Sequence, residues 1–565
     1  MIEQNLAHLD AVATACDRLW LSAYDEGVSR TFAQTHATIK EAMLAHLKKG
    51  SSQPLIFYKA ARITRAQADE EACRLANGLT QAGIRKSDRV SIVVSNRPEA
   101  VVAFMACYKA GFVAAAFNQR CTAREITQSV ACVSSTALIV ERDTLPKVLP
   151  AIEASELPSL KAVIVVDGEG LDLPPAAGPA SVCPYVRVLA GADPVEPSAK
   201  ISADDDAILL FTGGTTGVSK GCCQTHGAMV WELQAMRHWV SSALATPDPS
   251  ILVCMPMTHI MGINYGVNWQ LINGGSVVIA EGHKPLDIIR SLERYRPTVW
   301  ATLPTLLHSV SKDEALPISP YRDLELVIFG GSFVAREMLE DMIAKTSARF
   351  VESYGMSESF GFVTCNPVGS MGKVGSIGLP ISDTDVLVVD LEESTKVLAP
   401  GERGEIVFRG PQIIREYWAN PEETKHALRD GWLYSGDIGY MDEDGFFYLV
   451  DRKKDTIVVS GFNVFPSEID EVLMSHPLIL DACTIGVPDE HSGERPKSFI
   501  VTADGAEIDA QEIDLFCRER LVAYKIPKYL EAISEIPKTK AKKPARAFLR
   551  QEEERKAAGR HGESR

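Results

Sequence analysis

The chain has 565 residues, too many for one ordinary hydrophobic core, so two or more structural units are expected. Its 46% hydrophobic and 23% charged composition excludes a disordered or fibrous chain. A formal net charge of −16 excludes the basic footprint of a nucleic-acid binder, so any polyanionic ligand must be held by local cations and backbone N–H groups.

The first residues, Met1-Ile2-Glu3-Gln4, lack the basic and apolar regions of a signal peptide. The 12 cysteines show no CxxC pairing, and Cys222-Cys223 are poor partners for each other. That pattern argues against a zinc site and for reduced thiols in a cytoplasmic protein. From Ala66 to Gly83, Ala68, Ala72, Leu75, Ala76 and Leu79 recur at spacings of three and four, which predicts a helix stopped by Gly83. Arg89–Val94 predicts a buried strand. The apolar run Ala100–Phe117 contains Lys109 and Gly111. It falls short of the roughly 18 to 20 uncharged residues of a membrane span and is predicted as a core helix running into a strand. Ala207–Phe211, Ser276–Ala280 and Leu324–Phe329 predict further buried strands. Strands alternating with helices predict an α/β fold whose large N-terminal domain stacks mostly parallel sheets.

From Glu405 the pattern changes to short alternating strands, Glu405–Arg409 and Gly445–Val450, followed by the charge cluster Asp451–Asp455. Beyond it lie a helix carrying Ile469, Val472 and Leu473, strands near 482–487 and 498–502, and a helix carrying Ile513, Phe516 and Leu521. This predicts a compact α+β unit of about 110 residues, within the usual domain range. The expected division is 1–451, 452–550 and a polar, flexible tail over 551–565.

The most informative stretch is Phe211-Thr-Gly-Gly-Thr-Thr-Gly-Val-Ser-Lys-Gly221. Gly213, Gly214 and Gly217 let backbone N–H groups approach an anion closely. Thr212, Thr215 and Thr216 add hydroxyl donors, and Lys220 adds a point charge suited to phosphate. A Walker A loop needs a hydroxyl residue directly after its lysine, whereas Gly221 follows Lys220, so an ordinary P-loop is disfavoured.

This loop resembles the signature of the acyl-adenylate-forming, AMP-binding superfamily, in its acyl-CoA synthetase branch, with Gly213 and Ser219 in place of the usual Ser and Pro. The likeness continues along the chain in the family's order. Gly330-Gly331-Ser332 resembles the turn beside the adenine and the acid. Ser353-Tyr354-Gly355-Met356-Ser357-Glu358 resembles Y-G-x-T-E, which implies adenine contact by Tyr354, phosphate contact by Ser357 and Mg2+ on Glu358, with Thr215 as a second metal contact. Pro256-Met-Thr-His259-Ile-Met-Gly262 resembles P-x-x-H-x-x-G, whose His edges the acid pocket. Asp437 matches the ribose-binding Asp and Arg452 its partner. Lys454 matches the hinge about which a small mobile C-terminal domain rotates, and Gly461-Phe462 the channel for the coenzyme A thiol arm.

The last motif, Pro537-Lys-Thr-Lys-Ala-Lys-Lys-Pro-Ala-Arg546, resembles the loop carrying the adenylation lysine. Lys543 falls on the lysine position and Arg546 on the arginine, but Lys542 replaces Gly and Pro544 replaces Ile. Pro544 biases Lys543 away from the α region, which leaves Lys542 as the alternative.

The resemblance implies an ATP-dependent acid–CoA ligase. A small carboxylic acid attacks the α-phosphorus of ATP, pyrophosphate leaves, and coenzyme A then takes the acyl group. Three other readings stay open. One is an adenylation enzyme that loads a carrier protein. Another is a serine hydrolase built on Gly355-Met-Ser357-Glu-Ser359, one residue short of G-x-S-x-G. The third is a nucleotide binder without catalysis. A homodimer is the default oligomer.

Overall fold

The computed structural model describes residues 9, 18–170, 173, 176–211, 220–311, 321–330, 336–369, 372–460, 462–489, 491–503, 509–539 and 544–562. Two large sheets dominate. One has nine strands, and its interior runs parallel from Arg349–Met356 through Leu326–Gly330, Val299–Thr302, Ser250–Val253 and Ser276–Ile279 to Pro54–Tyr58. The other has eight strands, parallel from Asp206–Phe211 through Val113–Ala116, Arg89–Val93, Ala137–Glu141 and Ala162–Val166 to Ala180–Pro184. Antiparallel strands close the edges of both.

Such strands are buried on both faces, which is why they form continuous Val, Ile, Leu and Ala runs. Helix Pro98–Ala110 belongs to the largest core cluster and is buried from Ala100 to Ala110. Pro98 opens it, and Gly111, at φ +70°, ends it before the strand Val113–Ala116. Its Lys109 is fully buried, pairs with Asp69 at 2.6 Å and also pairs with Glu196. Asp69, Cys73 and Glu196 form the one group of metal-competent donors among the described residues, and this ammonium lies in it. No described helix is long and apolar enough to cross a membrane.

A third, antiparallel sheet uses Asp385–Val389, Gly404–Arg409, Leu428–Arg429, Trp432–Met441 and Phe447–Arg452. A fourth uses only residues beyond it: Ile457–Val459, Phe462–Val464, Ile479–Asp489, Gly493–Thr502 and Tyr529–Ala532. Helices Pro466–Met474 and Ala510–Arg518 cover it around a small core of Ile457, Val464, Ile469, Leu473, Ile500 and Ile513.

The polar terminus differs from the expected flexible tail. Residues 551–562 continue the helix Arg546–Gly562. Leu549 is buried against the strand Ile479–Asp489, and Lys497 reaches Glu553 at 2.7 Å. Lys556 in turn reaches Glu531 at 3.0 Å and Glu553 at 2.8 Å.

Candidate active site

Phe211 and Gly330 end parallel strands and Tyr354 lies near the end of a third, at the carboxyl ends where open α/β sheets bind ligands, while Asp437 and Arg452 come from the antiparallel third sheet. Asp206–Phe211 runs into the phosphate-loop segment and Gly221–Thr225 returns antiparallel, with Gly221 opposite Phe211. Thr212, Gly213, Gly214, Thr215, Thr216, Gly217 and Ser219 lie outside the described residues. So do Gly331, Ser332, Gly461, Lys542 and Lys543. Gly330 ends its strand opposite Ser353, whose Oγ donates to the Phe329 carbonyl at 3.3 Å.

Arg349–Met356 and Gly361–Cys365 form a tight hairpin with Met356 opposite Gly361. Ser357–Ser359 make a 3-10 turn at its tip, so Glu358 projects from a short, constrained loop. Ser359 ties the loop to itself: its Oγ accepts from Met356 N–H at 3.0 Å and donates to the Gly361 carbonyl at 2.8 Å. Tyr354, just before the turn, is buried, and its hydroxyl donates to Asp437 Oδ2 at 2.8 Å.

Asp437 is 4% exposed and sits opposite Arg452 across antiparallel strands. Arg452 Nε lies 2.9 Å from Asp437 Oδ1. Burial, and then the Asp437 charge, hold the Tyr354 hydroxyl well above the ordinary tyrosine range, so it stays a donor. Lys453 pairs at 2.7 Å with the buried Glu405, whose other oxygen accepts from Gly436 N–H at 3.0 Å. Lys454 follows in a 3-10 turn, Lys453–Asp455. Phe462 is 55% exposed and stacked on Tyr524, their ring centres 4.8 Å apart.

His259 stands at the entrance to a buried π-helix, Met261–Asn268. Its N–H donates to the Pro256 carbonyl at 2.9 Å, and its Nδ1 accepts from Met261 N–H at 3.3 Å. The motif ends in glycine because a Cβ on Gly262 would lie 2.1 Å from that same Pro256 carbonyl. Asn96 clamps the segment, donating to Met255 O at 2.7 Å and accepting from Met257 N–H at 2.9 Å.

Tyr417 joins two parts of the site and was missed in the sequence. Its hydroxyl donates to Glu358 Oε1 at 2.7 Å, and the Lys220 ammonium lies 5.2 Å from the centre of its ring. Burial first, and Glu358 second, push the Tyr417 hydroxyl far above its ordinary range. Lys220 pairs with Glu423 at 2.5 Å, which lowers that carboxyl. Gln224 donates to Gln412 O at 2.6 Å, and Gln412 Nε2 donates to Phe362 O at 3.1 Å, so the phosphate-loop hairpin and the Glu358 hairpin share a buried amide link. The only sequence signal for Tyr417 and Glu423 is the Asn420-Pro-Glu-Glu423 helix start that follows.

These groups fit a magnesium nucleotide. Glu358 offers hard carboxylate oxygen on a fixed turn, Lys220 offers a cation one aromatic ring away, and Asp437 is a buried carboxylate already oriented by two donors. Residues 45–418 match the family described as AMP-binding enzyme, and residues 468–543 match the AMP-binding enzyme C-terminal domain. A long-chain-fatty-acid–CoA ligase of Bacillus subtilis is 29% identical over 552 residues, 94% of this chain and 98% of its own length. A feruloyl-CoA synthase of an Amycolatopsis species is 32% identical over 478 residues, 84% of this chain and 91% of its own. Among solved structures, ATP-bound MatB from Rhodopseudomonas palustris aligns with a TM-score of 0.80 at 25% identity, over 92% of this chain and 99% of that one. O-succinylbenzoate coenzyme A synthetase (MenE) from Bacillus subtilis, in complex with ATP and magnesium ion, aligns with a TM-score of 0.76 at 26% identity, over 90% and 99%.

The chain belongs to the AMP-binding enzymes. Within them it is an AMP-forming acid–CoA ligase, an ATP-dependent enzyme that works through an acyl adenylate.

Proposed function

We propose that this ligase activates an organic acid with a largely apolar acyl group in the cytoplasm, using the residues assembled around Tyr417. The observation that carries the reading is two linked sets of contacts: Tyr354 and Arg452 both on Asp437, and Tyr417 on Glu358 with Lys220 beside its ring. The acyl class is supported by the long-chain-fatty-acid and feruloyl relatives, and the location by eleven free cysteines among the described residues.

A carboxylate meets a triphosphate here, so the protein's task is to position two anions and neutralise them. Glu358 would hold Mg2+, with Thr215 beside it, and the ion when bound screens the phosphate oxygens. Lys220 and the threonine–glycine loop hold the outer phosphates, while Ser357 faces the α-phosphate. Gly330, Gly331, Ser332 and Ser353 to Met356 flank the adenine, and Asp437 with Arg452 takes the ribose hydroxyls. His259 edges the acid pocket. Lys543 bridges the carboxylate and the α-phosphate as pyrophosphate leaves. Rotation of residues 452–550 about Lys454 then brings Gly461 and Phe462 to the site, and the coenzyme A thiol displaces AMP.

The test is pyrophosphate release across short, medium, long-chain, aromatic and betaine acids, with and without coenzyme A. Release is expected with some of these acids, and reduced about 100-fold or more in Lys543→Ala, the typical loss for one preorganised charge contact. Thioester formation from preformed acyl-AMP should survive that change. Release that no acid stimulates would sink the proposal. Intact release in Lys543→Ala, with loss in Lys542→Ala, would move the lysine by one residue.

A further inference from the structure

Helix His226–Trp239 follows the phosphate-loop hairpin and carries a carboxyl that the chemistry above does not use. Glu232 is fully buried, and among the described residues no cation pairs with it. Three donors converge on it instead. Phe362 N–H and the Tyr265 hydroxyl reach Oε1 at 3.0 and 3.3 Å, and Asn264 Nδ2 reaches Oε2 at 3.0 Å. The Asn264 amide also donates to the Phe360 carbonyl. Asn264 is in turn held by Asn268 at 3.3 Å, and Asn268 by the Tyr108 hydroxyl at 3.1 Å. Burial pushes the Glu232 carboxyl up to about 8 despite the three donors.

The backbone that this network grips is strained. Phe360 has φ +54° and Gly361 has φ +154°, and both follow directly on the turn bearing Glu358. A bulky residue in the left-handed region is unfavourable and persists only where its surroundings over-determine it. Here the Phe360 carbonyl is held by Asn264 and the Phe362 N–H by Glu232. Gly361 has no room for a side chain, because a Cβ would lie 2.0 Å from Glu232 Oε1 and 2.4 Å from the Tyr265 hydroxyl. An apolar residue would fill the helix core at lower cost, so the carboxyl acts through the bonds it accepts.

We infer that Glu232 is a positioning residue for adenylation: through Phe362, and with Asn264 through Phe360, it fixes the turn that aims Glu358 at the metal nucleotide. This rests on the reading of Glu358 as the metal-holding carboxylate. Residues that orient a metal-binding carboxylate typically cost 10- to 100-fold in metal affinity when altered.

The experiment is calorimetry of ATP binding to the full chain over a range of free Mg2+, with thermal unfolding alongside. The arms are wild type, Glu358→Gln, Glu232→Gln, Asn264→Ser and Tyr265→Phe; the last deletes one hydroxyl and is the mildest. In wild type, Mg2+ should strengthen ATP binding, and Glu358→Gln should abolish that gain. Glu232→Gln and Asn264→Ser should shrink it about ten-fold, leaving Mg2+-free ATP affinity unchanged. If Glu358→Gln keeps the wild-type gain, the metal reading of Glu358 falls, and this inference with it. If Glu358→Gln loses the gain while every folded Glu232, Asn264 and Tyr265 variant keeps it, the inference alone falls, and the network serves stability only.

Discussion

Asp437 gives both carboxylate oxygens to the protein, one to Tyr354 and one to Arg452, and each oxygen retains a lone pair for a ribose hydroxyl. Asp437→Asn keeps the shape but removes the charge that orders Arg452. Hydrogen bonds to charged groups contribute about 1.5–3 kcal/mol, so the KM for ATP is expected to rise about 10- to 100-fold in steady-state assays. A KM within two-fold of wild type would remove Asp437 from the nucleotide site. Glu232 gives a second prediction, in pH. Its unfolded carboxyl titrates near 4.5 and its buried one near 8, so between those values the folded chain holds a proton that the unfolded chain has lost. Stability from this group is therefore full below pH 4.5, falls as pH rises towards 8, and is level above. Glu232→Gln has no such slope, so its melting temperature relative to wild type should improve steadily from pH 5 to pH 8. A constant offset would show that the carboxyl is already ionised. The two residues differ in the sequence: Asp437 lies in Tyr434-Ser-Gly-Asp437, which resembles a family motif, whereas Glu232 sits in Trp231-Glu-Leu-Gln234, which any helix carries.

At the scale of elements, the strands were the most legible part, because parallel strands buried on both faces leave apolar runs such as Ala207–Phe211, within the strand Asp206–Phe211. The terminal helix Arg546–Gly562 was not, because its anchors are charges whose partners lie far away in the chain. Arg546 reaches the buried Asp470 at 2.6 Å and Ser467 Oγ at 3.2 Å, and Arg550, one turn on, reaches Asp455 at 2.7 Å. These contacts fix the far end of the lysine loop, whose two arms meet where Ala545 N–H donates to Pro537 O at 2.8 Å. Arg546→Ala leaves Asp470 buried without its cation. Breaking such a pair from one side typically costs about 3–5 kcal/mol, so thermal unfolding of the variant should begin well below that of wild type. Adenylation should slow as well, since the loop loses its anchor. Wild-type melting would mean that Asp470, whose carboxyl burial already pushes up to about 7, is solvated or takes up a proton when Arg546 is gone.

Across the whole molecule, side-chain contacts among the described residues span the segment around Lys454. Asp451 Oδ2 accepts from Ser467 N–H at 2.8 Å, and Arg403 pairs with Glu468 while its guanidinium lies 5.7 Å from the Phe465 ring centre. Glu468 is also held by Lys525 at 2.5 Å, so the latch is a small network in which Arg403 is the member from the larger unit. In the proposed cycle the thiol step needs Phe462 at the site, yet here Phe462 is 55% exposed and stacked on Tyr524. On that proposed cycle, the Arg403–Glu468 latch would belong to an arrangement other than the thioester-forming one. Exposed ion pairs contribute about 0.2–1 kcal/mol, so Arg403→Ala should shift the balance of arrangements by up to about five-fold. Single-turnover measurements can separate the half-reactions, with thioester formation from preformed acyl-AMP expected to quicken relative to adenylation. High salt should reproduce part of the shift in wild type and little in the variant, because the latch is partly exposed. Equal changes in both half-reactions would mean that the contact is carried through the rotation, and that the hinge lies on the other side of it.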